Sequence, residues 1–365
     1  MSPADANAAP PLRVVVIGYG HGGSVFHAPL IAATPGMQVA AIVTGAAQRQ
    51  AQARREFPEA RIIPSIEEMW SSASNYDLAV VTTPNKTHAP LGVRAVQAGL
   101  HVVVDKPLAA SVADAQQLLA ARARAGKILS VFQNARWAND FLTVRQLLAA
   151  GVLGRVVRME ARKERYRPAV RDGAWRERGE ADEAGGLLYD LGSHLIDQAL
   201  VLFGQPTSVY AEMEHVRPGS QVDDDTFIAL GFAHGVHAHL WMSYVARRPG
   251  AALRISGLRG TYEKYDGDPQ EQMLRDGLRP GMLGWGEEPR ERWGHLSADV
   301  GGLHVDGPIE TVRGQSERFY SELRDAIRTN GPPPVDPAEA VETLRVIEAA
   351  QHSARNKGMV VRVEV

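Results

Sequence analysis

The stretch Val14-Val-Val-Ile-Gly18-Tyr-Gly20-His-Gly-Gly23 decides the fold of this 365-residue chain. Its four β-branched residues predict a buried strand, and the G-x-G-x-x-G that follows predicts a tight turn into a helix. Gly18 lets the backbone turn sharply, Gly20 has no Cβ to block a pyrophosphate, and Gly23 lets the helix pack close to its strand. The helix-compatible run from Ser24 to Ala33 completes this context. We therefore predict a dinucleotide-binding site rather than a glycine-rich turn without a ligand.

Length and composition describe an ordinary globular protein with room for two domains. The 365 residues exceed the size at which a single hydrophobic core stops growing. A formal net charge of −2 supplies no basic excess, so we expect neither a nucleic acid nor a membrane as partner. The absence of cysteine excludes disulfides and thiolate catalysis, and it is compatible with the cytoplasmic location that we expect. No apolar run approaches the roughly 20 residues that span a bilayer.

Short apolar runs alternate with helical segments through the first part of the chain. Residues 1–12, rich in Ala and Pro, are expected to be a disordered leader, and residues 13–134 to form a dinucleotide-binding Rossmann domain. Because such alternation requires right-handed crossovers, the expected α/β fold is a doubly wound parallel sheet. Besides the first strand, the strands are predicted at Val39–Val43, Arg61–Ile63, Leu78–Thr82, His101–Val104 and Ile128–Phe132.

Residues 135–365 follow a different pattern and predict an α+β domain for substrate binding and oligomerisation. A helix is expected over Gly186–Phe203, and the C-terminal helix can return to the Rossmann domain. The stretch Asp266–Trp293, dense in Gly, Pro and charge, is interpreted as a long surface excursion. An uncovered sheet face needs a partner, so we expect a homodimer or homotetramer. A largely antiparallel open sheet is predicted from Val156–Arg162, Val209–Glu214, Thr226–Phe232 and Val236–Tyr244.

The end of the second strand bears on the choice of dinucleotide. An NAD-specific site usually has Asp or Glu at this point to bind the ribose hydroxyls, whereas this chain has Thr44. A neutral hydroxyl leaves room for a ribose phosphate, and Arg49 follows closely enough to pair with it. NADP is therefore favoured as the cofactor, with NAD as the other possibility. The alternative interpretation of Arg49 is a solvated helix residue.

Two further loops follow strands at the edge of the sheet where open α/β folds bind ligands. In Thr83-Pro84-Asn85 the proline fixes the backbone and the amide can reach the ribose, while His88 is interpreted as an orienting or structural group. In Asp105-Lys106-Pro107 the lysine ammonium is expected close to the nicotinamide. Peptide bonds before proline are mostly trans, and the sequence leaves the isomer at Pro107 open.

The stretch Gly185-Gly-Leu-Leu-Tyr-Asp190-Leu-Gly-Ser-His194-Leu-Ile-Asp197 holds the richest catalytic pattern. Spacings of four and three predict that Asp190, His194 and Asp197 share one helical face. Histidine has an ordinary pKa of about 6.5, so it can accept and return a proton near neutral pH. The alternative is a solvated charge pair, but the apolar residues in this stretch indicate a packed helix, in which an unneeded buried acid is costly.

Polar and aromatic residues also cluster where the two domains are predicted to meet. Arg136, Trp137 and Tyr166 are candidates for lining a pocket for a polyhydroxylated substrate. His237 and His239 share a strand face, but no acidic third ligand is near them in sequence. We therefore predict no metal site.

Taken together, the glycine turn, Asp105-Lys106-Pro107 and the Gly185-to-Asp197 stretch make this chain resemble the Gfo/Idh/MocA oxidoreductase family. The resemblance covers nearly the whole chain, and it is closest to the branch of NADP-dependent scyllo-inositol dehydrogenases in the segments from Ser24 to Leu30 and from Asn134 to Phe141. It implies a Rossmann domain, an α/β domain with an open sheet, and hydride transfer at a sugar or cyclitol carbon. The family usually has Glu at position 105, and its NADP-type members often have Arg at position 46, where this chain has Asp and Ala.

The motifs and the resemblance together define the predicted site. Two other functions stay open: glycoside cleavage with a retained NAD that is transiently reduced, and a non-catalytic nucleotide-sensing regulator. The resemblance assigns catalysis to Lys106, Asp190 and His194, which are also predicted to bind the substrate. The residues predicted to bind the cofactor are Gly18, Tyr19, Gly20, Gly23, Ser24, Thr44, Arg49, Thr83, Pro84, Asn85, His88, Asp105 and Lys106.

Overall fold

The structure is a computed structural model, and it describes residues 9–170, 177, 179–180 and 183–363. Six strands form the sheet of the first domain. The strands are β1 (Leu12–Ile17), β2 (Met37–Val43), β3 (Arg61–Ile63), β4 (Leu78–Val81), β5 (His101–Asp105) and β6 (Leu129–Phe132). They pair in parallel in the order β3-β2-β1-β4-β5-β6, which confirms the predicted doubly wound sheet. The direction of winding changes between β1 and β4, where such sheets bind ligands. Residues 1–8 of the expected leader lie outside the described residues.

Helices connect these strands and shield the sheet. Val14–Ile17 are all buried, as expected for a parallel strand that is covered on both faces. A π-helical turn, Gly22–His27, runs directly into the first α-helix. Ser65 and Ser111 cap the third and fifth helices by accepting backbone N–H bonds. The helices are α1 (Ala28–Ala32), α2 (Ala47–Glu56), α3 (Ile66–Ser71), α4 (His88–Gln97), α5 (Val112–Ala125) and, after β6, α6 (Asn139–Ala149).

Nine strands form the sheet of the second domain. They are β7 (Val156–Glu164), β8 (Pro206–Glu214), β9 (Asp225–Phe232), β10 (His237–Ser243), β11 (Leu253–Gly257), β12 (Gly260–Lys264), β13 (Gly294–Val300), β14 (Leu303–Ile309) and β15 (Val361–Arg362). Their order is β14-β13-β12-β11-β7-β10-β9-β8-β15. β7 pairs with β10 in parallel and every other pair of neighbouring strands in this sheet is antiparallel, which confirms the largely antiparallel prediction. The last five strands were not predicted from the sequence.

One face of this second sheet is covered by helices. A second π-helical turn, Leu188–Gly192, leads into α7 (Ser193–Phe203), and α7 packs against β7 and β10. After α8 (Gln270–Arg275) and α9 (Arg318–Thr329), α10 (Pro337–Arg355) packs on β8 and also contacts α5 and β6 of the first domain. Among the described residues no helix has both the length and the apolar character needed to cross a membrane.

Most of the stretch Asp266–Trp293 is exposed or half-buried, as its composition predicts, but parts of it pack against the rest of the chain. Trp285 is fully buried, and its Nε1 donates a hydrogen bond to Glu317 at 2.8 Å. α8 packs against the π-helical turn of the first domain, and Glu271 lies 3.3 Å from His21 of the glycine turn. The composition of the stretch does not reveal this buried tryptophan or the contact with the glycine turn.

Candidate active site

The glycine turn has the geometry that a dinucleotide needs. Gly18 has a φ of 104°, a conformation that favours glycine. A Cβ on Gly23 would lie 2.3 Å from the Gly18 carbonyl oxygen, so only glycine fits where the helix comes this close to the turn. At Gly20, in contrast, the nearest atom to a Cβ would be Nη1 of Arg49 at 3.8 Å. The turn is therefore tight on the protein side and open at Gly20.

Gly23→Ala is expected to abolish dinucleotide binding and to destabilise the protein by about 1–3 kcal/mol, because the added methyl group overlaps the Gly18 carbonyl. Dinucleotide titration and thermal unfolding of the purified variant measure the two effects. Gly267→Ala is the matched control, since a Cβ there would meet nothing within 4 Å and should change neither quantity. Unchanged dinucleotide binding by Gly23→Ala would contradict the close contact between Gly23 and the Gly18 carbonyl.

The other residues predicted on this turn are fixed by local contacts. Ser24 donates its hydroxyl hydrogen to the Gly20 carbonyl at 2.8 Å, which stabilises the first helical turn. Tyr19 is buried and donates to Glu56 at 2.6 Å, so its hydroxyl faces α2. Thr44 is buried at the end of β2, and its carbonyl accepts a hydrogen bond from Gln50. Arg49 is thus the charged group nearest the open side of Gly20.

The loop after β4 is tied to both domains. The Asn85 amide donates to the carbonyl of Ala184, and Lys86 lies 2.5 Å from Glu183. The Thr83 carbonyl lies 2.8 Å from Nε2 of the buried His88, whose Nδ1 lies 2.7 Å from the Pro107 carbonyl. His88 therefore joins the two cofactor loops, which fits its interpretation as an orienting group.

Lys106 brings the first domain to the helix of the second. The Lys106-Pro107 bond is cis, which settles the isomer that the sequence left open. The Lys106 ammonium lies 3.1 Å from Oδ1 of Asp190 and also donates to the Asp190 backbone carbonyl. Both side chains are largely buried, with 13% of Lys106 and 24% of Asp190 exposed. The carboxylate therefore fixes the position of the ammonium. We call the space that Lys106, Asp190 and His194 border the cleft.

Asp105 is held as an anion behind Lys106. Its Oδ1 accepts the backbone N–H of Lys106 at 2.8 Å, and its Oδ2 accepts from Thr82 at 3.3 Å. Burial alone would raise the pKa of Asp105, but the neighbouring His27, 3.5 Å away, and the charge of Lys106 hold that pKa well below its usual range. His27 in turn lies 2.5 Å from the hydroxyl of the buried Tyr320.

His194 is half-buried at the start of α7 and is kept neutral. Burial lowers the pKa of His194 well below its ordinary value, and the positive charges of Lys106 and Lys163 lower it further. Its Nδ1 is enclosed and has no hydrogen-bond partner among the described residues. Nε2 is therefore the ring nitrogen that can meet a substrate, and a neutral imidazole can accept a proton there.

Asp197 has a different partner from Asp190, although it lies three residues after His194 on the regular helix α7. Its carboxylate pairs with Arg136, at 2.7 and 2.9 Å, whereas Asp190 pairs with Lys106. The common helical face of the three residues stays a prediction. Burial raises the pKa of Asp197 although Arg136 opposes that rise. The ion pair between Arg136 and Asp197 joins the turn that precedes α6 to α7.

The three residues predicted to line the substrate pocket have partners of their own. Arg136 binds Asp197 and also Glu339, at 2.5 Å. Trp137 is buried with its ring 5.7 Å from that of Phe319. Tyr166 is exposed, and Arg247 stacks on its ring at 4.0 Å. Their contact with a substrate stays a prediction. In the described part of the chain, no group of three His, Asp or Glu side chains could hold a metal ion.

Sequence reasoning missed two residues that the fold brings to this cleft. Lys163 on β7 lies within electrostatic reach of His194, and Tyr244, just after β10, lies within reach of Asp190. The alternation along β7 is a signal that could have identified Lys163, because the buried Met159 and Ala161 lie on the same face of the strand. Tyr244 follows β10, whose parallel pairing with β7 the sequence does not reveal.

A Rossmann domain with an open glycine turn, joined to a Lys-Asp-His cleft, defines an NAD(P)-dependent oxidoreductase. Residues 12–133 match the oxidoreductase family's NAD-binding Rossmann fold, and residues 145–364 match its C-terminal alpha/beta domain. The chain therefore belongs to the Gfo/Idh/MocA oxidoreductase family, as the sequence motifs predicted.

Individual relatives extend over almost the whole chain. The oxidoreductase YdgJ of Escherichia coli is 38% identical over 95% of this chain and 97% of its own. The scyllo-inositol 2-dehydrogenase (NADP(+)) IolW of Bacillus subtilis is 34% identical over 95% of this chain and 94% of its own. The structure of the oxidoreductase YvaA from Bacillus subtilis superposes with a TM-score of 0.89 at 33% identity, and it covers 97% of this chain and all of its own.

Proposed function

We propose that the protein catalyses the reversible oxidation of a secondary alcohol on a cyclitol or sugar, with NADP as the preferred cofactor. The observation that carries this proposal is the 3.1 Å contact between Lys106 and Asp190 in a cleft that His194 also borders. A proton acceptor and a cation assist the oxidation of an alcohol, and a carboxylate can bind a neighbouring hydroxyl of the substrate. The similarity to IolW supports the cyclitol and sugar class.

Each of the three groups has a separate role. When bound, the nicotinamide supplies the hydride acceptor. His194, held neutral, accepts the proton of the reacting hydroxyl at Nε2. The Lys106 ammonium stabilises the negative charge that develops on the same oxygen, in the way that an oxyanion hole does. Asp190 keeps the ammonium in place and binds a neighbouring hydroxyl, which orients the reacting carbon.

The residues around the glycine turn fit a dinucleotide that carries a ribose phosphate. Gly20 leaves its outer side open, with the Arg49 guanidinium 3.8 Å from the point where a Cβ would stand. Thr44, at the end of β2, places no negative charge beside the ribose. A 2′-phosphate would therefore meet a guanidinium and a neutral hydroxyl, whereas NAD would lack the charge that Arg49 recognises.

Arg49→Ala is expected to weaken NADP+ binding by about ten- to a hundredfold and NAD+ binding by no more than about threefold, because only NADP+ loses a charge-assisted hydrogen bond. Fluorescence titration with each dinucleotide measures the two dissociation constants. Arg54→Ala is the matched control, since Arg54 is an exposed arginine of the same helix. Equal losses for both dinucleotides would contradict the proposed 2′-phosphate contact.

The proposed activity is tested with purified protein, NADP+ or NAD+, and a panel of inositols and aldoses. Reduced nicotinamide is followed by its absorbance, and the reverse reaction is run with the corresponding ketones. We expect catalytic turnover with at least one polyol or its ketone and a higher kcat/KM with NADP+. No net coenzyme reduction in any pairing, together with sugar release from a glycoside, would favour cleavage with a retained cofactor.

We also propose that two or four copies associate through the uncovered face of the second sheet. That face carries the half-exposed aromatic side chains of Tyr210, Phe227 and Trp241, which contact one another at ring distances of 5.1 and 6.3 Å. Exposed apolar patches of this kind mark interaction surfaces. Light scattering should give a dimer or tetramer mass that Trp241→Glu reduces, and a monomer mass for the unaltered protein would contradict the proposal.

A further inference from the structure

Lys163 lies on β7, and its side chain points toward α7, the helix that begins with Ser193 and His194. On β7, Met159 and Ala161 face the covered side and are buried, whereas Arg162 stacks on Trp241 at 3.9 Å on the opposite side. Side chains alternate along a strand, so Lys163 lies on the same side as Met159 and Ala161. This is the side on which α7 packs.

The register of the sheet places Lys163 beside the π-helical turn that holds Asp190. Lys163 pairs with Met242 of β10. The terminal carbon of Met242 lies 3.2 Å from where a Cβ on Gly192 would stand, so this part of the sheet contacts the turn directly. Lys163 is close enough to His194 to lower its pKa, as Lys106 also does. A second ammonium group thus borders the cleft.

In the part of the chain that the structure describes, Lys163 lacks the carboxylate counter-ion that three other lysines have. Lys86, Lys106 and Lys264 each pair with a carboxylate, namely Glu183, Asp190 and Glu288. Within the described ranges, which omit 171–176, 178 and 181–182, the Lys163 ammonium has neither an ion pair nor a hydrogen bond. A half-buried ammonium without a partner is costly in a folded protein, and a bound anion would compensate for it.

The nearby acids do not take the place of that anion. Asp190 is paired with Lys106, and Glu177 is paired with Arg217 at 2.6 Å. Asp223, which is also buried near the cleft, accepts hydrogen bonds from Thr226 and the Leu188 backbone at 2.8 Å each. Each of these carboxyl groups therefore has hydrogen-bond donors other than Lys163.

We infer that Lys163 binds an anionic substituent of the substrate, so that the preferred substrate is a polyol or sugar carrying a carboxylate or a phosphate. This inference rests on the proposed function, because it assigns a substrate class to the same cleft. Lys106 and His194 act on the reacting hydroxyl, and Lys163 binds the charged group on another carbon. An ammonium beside a carboxylate or phosphate gives a charge-assisted hydrogen bond, which a neutral polyol cannot provide.

The experiment compares three related substrates: glucose, glucuronate and glucose 6-phosphate. Initial rates with NADP+ give kcat and KM for the unaltered protein, for Lys163→Met and for Lys163→Arg. We expect kcat/KM for one of the two anions to exceed that for glucose by about tenfold or more. Lys163→Met should remove that preference mainly through KM, with glucose changed less than about twofold, whereas Lys163→Arg should retain it. Preference for glucuronate or for the phosphate identifies the kind of anion.

A second readout separates recognition from an effect on His194. Because Lys163 lowers the pKa of His194, Lys163→Met should move the acidic limb of the pH profile upward by the same amount for glucose and for the anions. Above that limb only the anions should lose kcat/KM, and an equal loss for glucose and for the anions there would overturn the inference. Calorimetric titration of the NADPH complex with glucuronate and with glucose 6-phosphate measures anion binding without turnover. Lys357→Met, at an exposed lysine, is the control. If Lys163→Met turns over neutral sugars and still binds the anions as tightly as the unaltered protein, the inference is overturned and the proposed function stands. If the unaltered protein neither oxidises nor reduces any substrate, that result counts against the proposed function itself.

Discussion

Lys106→Ala is expected to lower kcat by about two to three orders of magnitude, the usual cost of removing a group that stabilises a developing oxyanion. The Lys106 side chain is 13% exposed and its ammonium is fixed by Asp190, so we expect no water to take its place. Binding of NADP+ should change by less than about tenfold, because the glycine turn and Arg49 hold the dinucleotide independently. Steady-state rates and a dinucleotide titration measure both quantities.

Lys357→Ala is the matched control for this variant, since Lys357 is exposed and follows the end of α10. It should leave kcat and dinucleotide affinity unchanged. Turnover by Lys106→Ala within about threefold of the unaltered protein would remove the lysine from the mechanism. A loss of dinucleotide binding equal to the loss of rate would instead assign Lys106 to cofactor binding alone.

His194→Ala is expected to lower kcat/KM for alcohol oxidation by about two to four orders of magnitude, the range for loss of a positioned general base. The protonated imidazole cannot accept a proton, so the rate of the unaltered enzyme should fall as the pH drops through the pKa of His194. Because burial lowers that pKa, the acidic limb should lie below about pH 6.5. Rates measured across the acidic range test this position, and the variant should lack the limb.

His239→Ala provides the control for the histidine prediction. His239 lies on β10, and burial lowers its pKa as well, but its ring faces Phe227 and Trp241 on the uncovered side of the sheet. Its loss should leave the pH profile unchanged. An acidic limb that survives in His194→Ala would assign the proton transfer to another group.

The sequence predicted those parts of the site that depend on local structure. The turn from Gly18 to Gly23 forms within one strand-to-helix connection, and Asp105 and Lys106 follow directly from β5. Their position at the carboxyl edge of the sheet then follows from parallel topology alone. The same local logic identified Asp190 and His194, which are separated by a single turn of helix.

The remaining features depend on contacts between distant segments. The partner of Asp197 could not be predicted from residue spacing, because Arg136 lies 61 residues away in the chain. Trp285 is buried by contacts that the composition of its stretch does not predict. Lys163 comes close to His194 because β7 packs against α7, which lies about 30 residues further along the chain. Tertiary packing decides such positions, and a single sequence does not record it.

The most direct measurement follows the hydride itself. A polyol substrate deuterated at the reacting carbon is incubated with the protein and NADP+, and the coenzyme and the product are then analysed by mass spectrometry. The account predicts that each ketone formed is matched by one deuterium in the reduced nicotinamide. Consumption of the substrate with an unlabelled coenzyme would contradict it.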